Sequence, residues 1–147
     1  MKKIIKFLFI LLPWFISALT PVDKSYYLSL NLPFFAPPPF FFAIIWTILY
    51  ILIATTIYQK IDMKKDIQAP YKYTLIINYI ANQSFQPLFF LLKNNFLSFV
   101  SCIITFISSL FLYKESQNNK LLIPYILFSL FATILSLTIY LMNLHTL

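Results

Sequence analysis

The chain has 147 residues, of which 61% are hydrophobic, 20% aromatic and 10% charged, and it contains no glycine. A soluble domain of ordinary make-up, about 45–50% apolar and about 25% charged, is excluded, and so is a disordered chain, which lacks this much apolar surface. The net charge of +7 comes entirely from Lys, and where charges are this sparse a basic excess reports membrane orientation rather than nucleic-acid binding.

Charges recur only at intervals, and the stretches between them can cross about 30 Å of hydrocarbon at about 1.5 Å per residue. No strand-length alternation recurs, which leaves helices as the spanning solution. The pattern predicts a single all-α membrane domain over 1–147, with five transmembrane helices at about 4–19, 40–58, 71–92, 96–113 and 121–143. The first span starts Lys-rich and ends in ISALT, features that a secretory signal peptide shares. Pro13 and Trp14 interrupt its apolar core and no A-x-A site follows, so a retained span is the reading adopted.

A proline-rich connection from Thr20 to Pro39 follows, with PFFAPPPFFF at 33–42. Rigid φ angles and apolar side chains suit such a loop to lie over the mouth of the bundle as a lid, or in the membrane interface. Pro33, Phe35, Pro37, Pro38 and Phe40 are the lid residues expected. In the second span Trp46, Tyr50 and Ala54 share a face several residues inside the helix, which favours an interior position over an interfacial belt. The loop QKIDMKKDIQ then leads to Pro70.

In the third span Asn78, Asn82 and Gln86 follow at i, i+4 and i+8, flanked by Phe85 and Phe89. This stripe must point inward, as glue between helices, as a polar wall of a ligand cavity, or as both. Pro87 should kink the span and free backbone carbonyls near Gln83 and Phe85. After the turn KNN (93–95), the fourth span carries the single cysteine, Cys102, read as a packing residue. KESQNNK (114–120) leads to the fifth, where Phe128, Ala132, Ser136 and Tyr140 lie at four-residue spacing with Asn143 three further on. Pro70 and Pro124 fall in first turns, where a missing N–H costs nothing.

Five spans sort nine Lys onto the side of the N-terminus and two, Lys24 and Lys93, onto the other. By the positive-inside rule the N-terminus is cytoplasmic and the C-terminus outside, in a bacterial plasma membrane. The four acids, Asp23, Asp62, Asp66 and Glu115, are placed in loops, and the one His, His145, is near the C-terminus. No acid/base pair, metal cluster or phosphate-cradling loop can be assembled from these, so the expectation is a protein that is not an enzyme, with no catalytic or metal-binding residues.

Three ordered segments carry a resemblance. YYLSLNLPFFAPPPFFFAIIWTILY (26–50) is similar to the pattern W-Y-x-x-L-x-K-P-x-x-x-P-P-x-W-x-F-G-P-V-W-T-x-L-Y. NYIANQSFQPLFF (78–90) is similar to Q-L-x-L-N-x-x-W-S-x-x-F-F, and PYILFSLFATILS (124–136) to P-Y-x-x-W-x-x-F-A-T-x-L-N. The chain thus resembles the TspO/MBR family of tryptophan-rich sensory proteins, which includes the translocator protein, or peripheral-type benzodiazepine receptor. The resemblance implies a five-helix bundle whose cavity, closed by the first loop, binds flat hydrophobic molecules such as porphyrins, haem and benzodiazepine-type ligands. It implies pocket positions at Trp46, Tyr50, Asn82, Phe85, Phe89, Phe128, Ala132 and Ser136, and a homodimer.

Departures are local. Leu32 stands where relatives carry Lys, Ala43-Ile44 replaces Gly-Pro, and Phe85 and Phe128 replace two Trp. Porphyrin degradation in light, associated with pocket Trp residues in some relatives, would here depend on Trp46. No basic residue follows Lys120, so the sterol-associated motif at the end of helix five is absent. The expectation is a membrane-embedded binding protein for tetrapyrroles or similar flat apolar molecules, acting in transport or sensing. Its ligand-binding residues are those pocket positions together with Asn78, porphyrin or haem is the ligand, no cofactor is required, and its surroundings are the lipid bilayer. The alternatives are a light- or oxygen-dependent porphyrin-degrading enzyme and a structural membrane partner without a ligand.

Overall fold

The structure is a computed structural model that describes residues 2–62 and 67–144; Lys64, Lys65, Asp66 and His145 lie outside the described residues. Within them the chain is helical: α1 (Lys2–Leu11), α2 (Lys24–Ser29), α3 (Pro39–Asp62), α4 (Ala69–Gln86), α5 (Asn95–Glu115) and α6 (Ile123–Met142). Three segments, Pro39–Asp62, Asn95–Glu115 and Lys120–Met142, are long and apolar enough to cross a membrane.

The first and third expected spans are composite instead. Pro13 offers no N–H to the preceding turn, and after α1 the chain tightens into a 3₁₀ segment, Leu12–Leu19. At Pro87 the expected kink takes the form of a π-helical turn, Pro87–Leu91, in which the Leu92 N–H donates to the Pro87 carbonyl at 3.0 Å. The third span is also the most polar, with Asn78, Asn82, Gln83 and Gln86 on its inner side.

Two further corrections concern the connections. The stretch between the first two spans is not all loop: it folds into α2, whose first turn is capped by Asp23, with the side chain accepting from the Tyr26 N–H. Asp62 and Glu115 end helices α3 and α5 rather than sitting in loops, and Asn95 starts α5. Without glycine, positive φ angles fall on Lys93, Gln117 and Asn118 in the turns that flank α5.

The rods form a closed ring: the first rod (α1 and its 3₁₀ extension) packs on α3 and α4, α4 on α5, α5 on α6, and α6 back on α3. Polarity inside this ring is inverted relative to a soluble bundle. On α5 most of the buried face is small and polar, with Ser98, Ser101, Cys102, Thr105, Ser108 and Ser109 between Asn95 and Leu112, while Phe96, Ile104, Ile107 and Phe111 face outward. Small hydroxyl residues allow backbones to approach, and in lipid there is no penalty for an apolar exterior. Outward Ile and Leu residues on α3, α4 and α6 (Ile44, Ile51, Ile76, Ile80, Leu127, Ile134) continue the same belt.

Two apolar clusters lie within. One gathers Trp14, Tyr50, Ile53, Leu112 and Tyr125, and the other, beneath α2, gathers Tyr27, Phe89, Leu135 and Ile139.

Candidate functional site

Between the rods a hydrogen-bonded chain crosses the ring. The Ser17 N–H donates to Gln83 Oε1 at 2.8 Å, and Gln83 Nε2 donates to the Trp14 carbonyl at 3.1 Å and to Asn82 Oδ1 at 3.0 Å. The Tyr50 hydroxyl donates to the same Asn82 oxygen at 2.9 Å, and Asn82 Nδ2 reaches the Tyr125 hydroxyl at 3.4 Å. Tyr125 in turn donates to Asn78 Oδ1 at 2.8 Å, and Asn78 Nδ2 donates to Ser108 Oγ at 2.8 Å and to the Thr105 carbonyl at 3.0 Å. All five rods contribute. Asn78 and Tyr125 are both 0% exposed, so each buried polar atom here would be costly unpaired.

Asn82 also borders a cavity of about 260 Å³. Its walls are aromatic: Phe15 from the first rod, Tyr27 from α2, Phe42, Trp46 and Tyr50 from α3, and Phe85, Phe89 and Phe90 from the α4 end. The opposite wall is mostly of small residues, Cys102 and Thr105 of α5 and Ser129, Ala132 and Ser136 of α6, with Leu135 and Ile139 beside them. Trp46 leans on Tyr50 with ring centroids 5.6 Å apart, and Phe85 stacks on Phe89 at 5.5 Å with the rings 14° from parallel. Such a slot has faces for a flat apolar guest and a few polar atoms to orient it.

Of the residues singled out in the sequence, the structure brings Trp46, Tyr50, Asn82, Phe85, Phe89, Ala132 and Ser136 to this cavity. Asn78 and Phe128 do not line it. Asn78 lies one helical turn from Asn82, committed to α5, and Phe128 supports the cavity from behind, its ring edge-on to Trp46 at 5.4 Å. Pro33, Phe35, Pro37, Pro38 and Phe40 do not line it either, because α2 already occupies the mouth through Lys24 and Tyr27, with Pro39 and Phe42 beside it. Phe35 instead packs on Phe131 at 6.3 Å, the Pro37 carbonyl accepts from the Tyr27 hydroxyl at 3.1 Å, and Phe34 and Phe40 are exposed. Phe15, Tyr27, Thr105 and Ser129 went unnoticed in the sequence. For the last two the signal was present, since hydroxyl residues recur every three or four positions through 98–109 and again at 129 and 136.

The mouth is held at two points. Asp23 pairs with Lys93 at 3.1 Å, and Lys93 lies 5.1 Å above the Tyr26 ring, tying α2 to the α4–α5 turn. On the far side the Asn31 N–H donates to Asn143 Oδ1 at 2.9 Å, and Asn143 Nδ2 donates to the Asn31 carbonyl at 3.0 Å. Hydrogen bonds from Ser25 and the Tyr26 N–H, together with Lys93, hold the Asp23 carboxyl well below the usual carboxylate range. Among the described residues no group of three or more His, Cys, Asp or Glu side chains is placed to hold a metal.

Residues 7–141 match the family model described as the TspO/MBR family. The chain belongs to the TspO/MBR family. Among its relatives, the tryptophan-rich protein TspO of Bacillus cereus is 38% identical over 135 residues, covering 86% of each chain. The uncharacterized membrane protein YtaB of Bacillus subtilis is 37% identical over 134 residues, covering 86% of this chain and 85% of the relative. The TspO of the archaeon Archaeoglobus fulgidus is 31% identical over 124 residues, covering 82% and 81%. Family and apolar helices together make this a membrane protein. As a TspO/MBR member it is sparing with the residue its relatives are named for, holding only Trp14 and Trp46.

Proposed function

We propose that this TspO/MBR protein spans the membrane five times, with a cytoplasmic N-terminus, and binds porphyrins, haem or similar flat apolar molecules in tetrapyrrole transport or sensing. The observation that carries the reading is the aromatic slot, walled by all five rods and closed by α2. The first and third rods complete the five crossings as composite helices, and the Lys asymmetry sets the direction. At about 260 Å³ the slot lies just below the roughly 300–1,000 Å³ of drug-sized ligand pockets. A small flat aromatic fits the cavity as it stands, whereas a tetrapyrrole macrocycle requires it to widen.

Titration of the purified protein with protoporphyrin IX tests this. Saturable binding that is weakened at least tenfold in the Asn82→Leu/Ala132→Phe double variant is expected. Unchanged affinity in that variant overturns the site.

One observation favours a second reading, light- or oxygen-dependent porphyrin breakdown. Trp46 stands in the wall, in ring contact with Tyr50 and Phe128. That reading requires loss of porphyrin absorbance under illumination, abolished in Trp46→Phe.

A further inference from the structure

Lys24 is the single charged side chain among the residues lining the cavity, and it sits on α2 at the mouth. Its neighbour Asp23 does not neutralise it: that carboxylate is engaged by Lys93, Ser25 and the Tyr26 N–H. Among the described residues Lys24 forms no ion pair. The Gln86 amide, at the end of α4, also lines the cavity, and among the described residues its side chain makes no hydrogen bond. Asn82, by contrast, is already bonded to Tyr50, Gln83 and Tyr125. The slot therefore ends in unspent polar groups at its mouth, one of them a cation.

An ammonium at the rim of an apolar slot discriminates by charge. A guest with an anionic end gains an ion pair there, a neutral guest gains nothing, and a cationic guest is repelled. From this placement we propose that the cavity takes amphiphiles, with the flat apolar body inside and a carboxylate directed outward to Lys24. Lys24 is thus the residue that selects acids over their esters. This deepens the ligand-binding reading above and rests on it. Lys24 is distinct from the Lys of the family loop pattern, whose place Leu32 takes here.

The test compares protoporphyrin IX with its dimethyl ester, titrated into the full chain in phosphatidylcholine nanodiscs at low salt. Wild type should bind the diacid about three- to fivefold more tightly than the diester, the size expected for a solvent-facing ion pair. Lys24→Gln should abolish that preference by weakening the diacid more than the diester, and Lys24→Arg should keep it. Raising the salt to about 0.5 M should shrink it in wild type alone. Equal binding of diacid and diester by wild type overturns the proposal and leaves the ligand-binding reading standing. A Lys24→Gln variant that loses both ligands equally also overturns it, because Lys24 would then act only through the shape of the mouth. If neither compound binds wild type, the ligand-binding reading fails and this inference fails with it.

Discussion

Asn78 and Asn82 lie on one face of α4, a single turn apart, and do different work. Asn78 is sealed between helices, with its amide spent on Ser108, Thr105 and Tyr125. Asn82 shares the polar chain but also borders the cavity. The same side chain at the same helical angle is thus sealed between helices at one height and part of a cavity wall at the next. Helical periodicity fixes the angle around an axis. Height relative to a cavity depends on which residues on other rods are large, and here Tyr125 fills the space beside Asn78 while Ala132 leaves it open farther along α6.

This contrast can be broken by four measurements. The largest effect is expected for Asn78→Leu, which takes the acceptor from the buried Tyr125 hydroxyl and one partner each from Ser108 and the Thr105 carbonyl, both of which keep bonds within α5. It should destabilise the folded protein by about 2–3 kcal/mol in detergent titration, since each orphaned buried group costs about 1–3 kcal/mol and partners found in the membrane return part of that. Porphyrin affinity of the folded fraction should change less than twofold; a larger loss would mean that the two heights are not separate. Ala132→Phe reverses the pattern, with affinity falling about tenfold, or 1.4 kcal/mol, and thermal stability nearly unchanged.

Smaller effects belong to the mouth and the turns. Because the folded Asp23 carboxyl titrates below its ordinary value of 3.8, its contribution is complete above that value and is lost as the pH falls below it toward the folded value. Protection of the α2 amides, taken relative to intrinsic exchange at each pH, should therefore fall as acid is added below about pH 4 and stay flat from pH 5 to 8. Asp23→Asn should remove the acid dependence. The smallest effect is expected for Gln117→Gly, which relieves a left-handed backbone at φ 58 and should stabilise by about 0.5 kcal/mol, read as a small rise in Tm.

The spans and inward faces were legible because periodicity and charge spacing survive in one dimension. Trp46, Tyr50 and Asn82 emerged that way, and the family patterns in the same segments reinforced them. The mouth was not legible. KSYYLS is too short to show a period, so nothing in it marks α2, whereas the conspicuous prolines only lead into α3, with Phe35 packed on Phe131 and the Pro37 carbonyl bonded to Tyr27. The buried serines of α5 could have been read from spacing alone. They draw less notice because a lone hydroxyl in an apolar run can satisfy itself by bonding its own helix, as Ser108 does to the Ile104 carbonyl.

The lengths of the connections around the ring also set an order of assembly. Turns of a few residues, Leu92–Asn94 and Ser116–Asn119, make α4, α5 and α6 sequential antiparallel neighbours with local contacts. The first rod and α3 meet across the long α2 segment, and the ring closes only through contacts distant in sequence, such as Ser17 to Gln83 and Tyr50 to Asn82. Local pairings form early and distant ones late. The slot lacks its Phe15, Trp46 and Tyr50 side until those distant contacts form, and a ligand that occupies it favours the closed ring over any opened form.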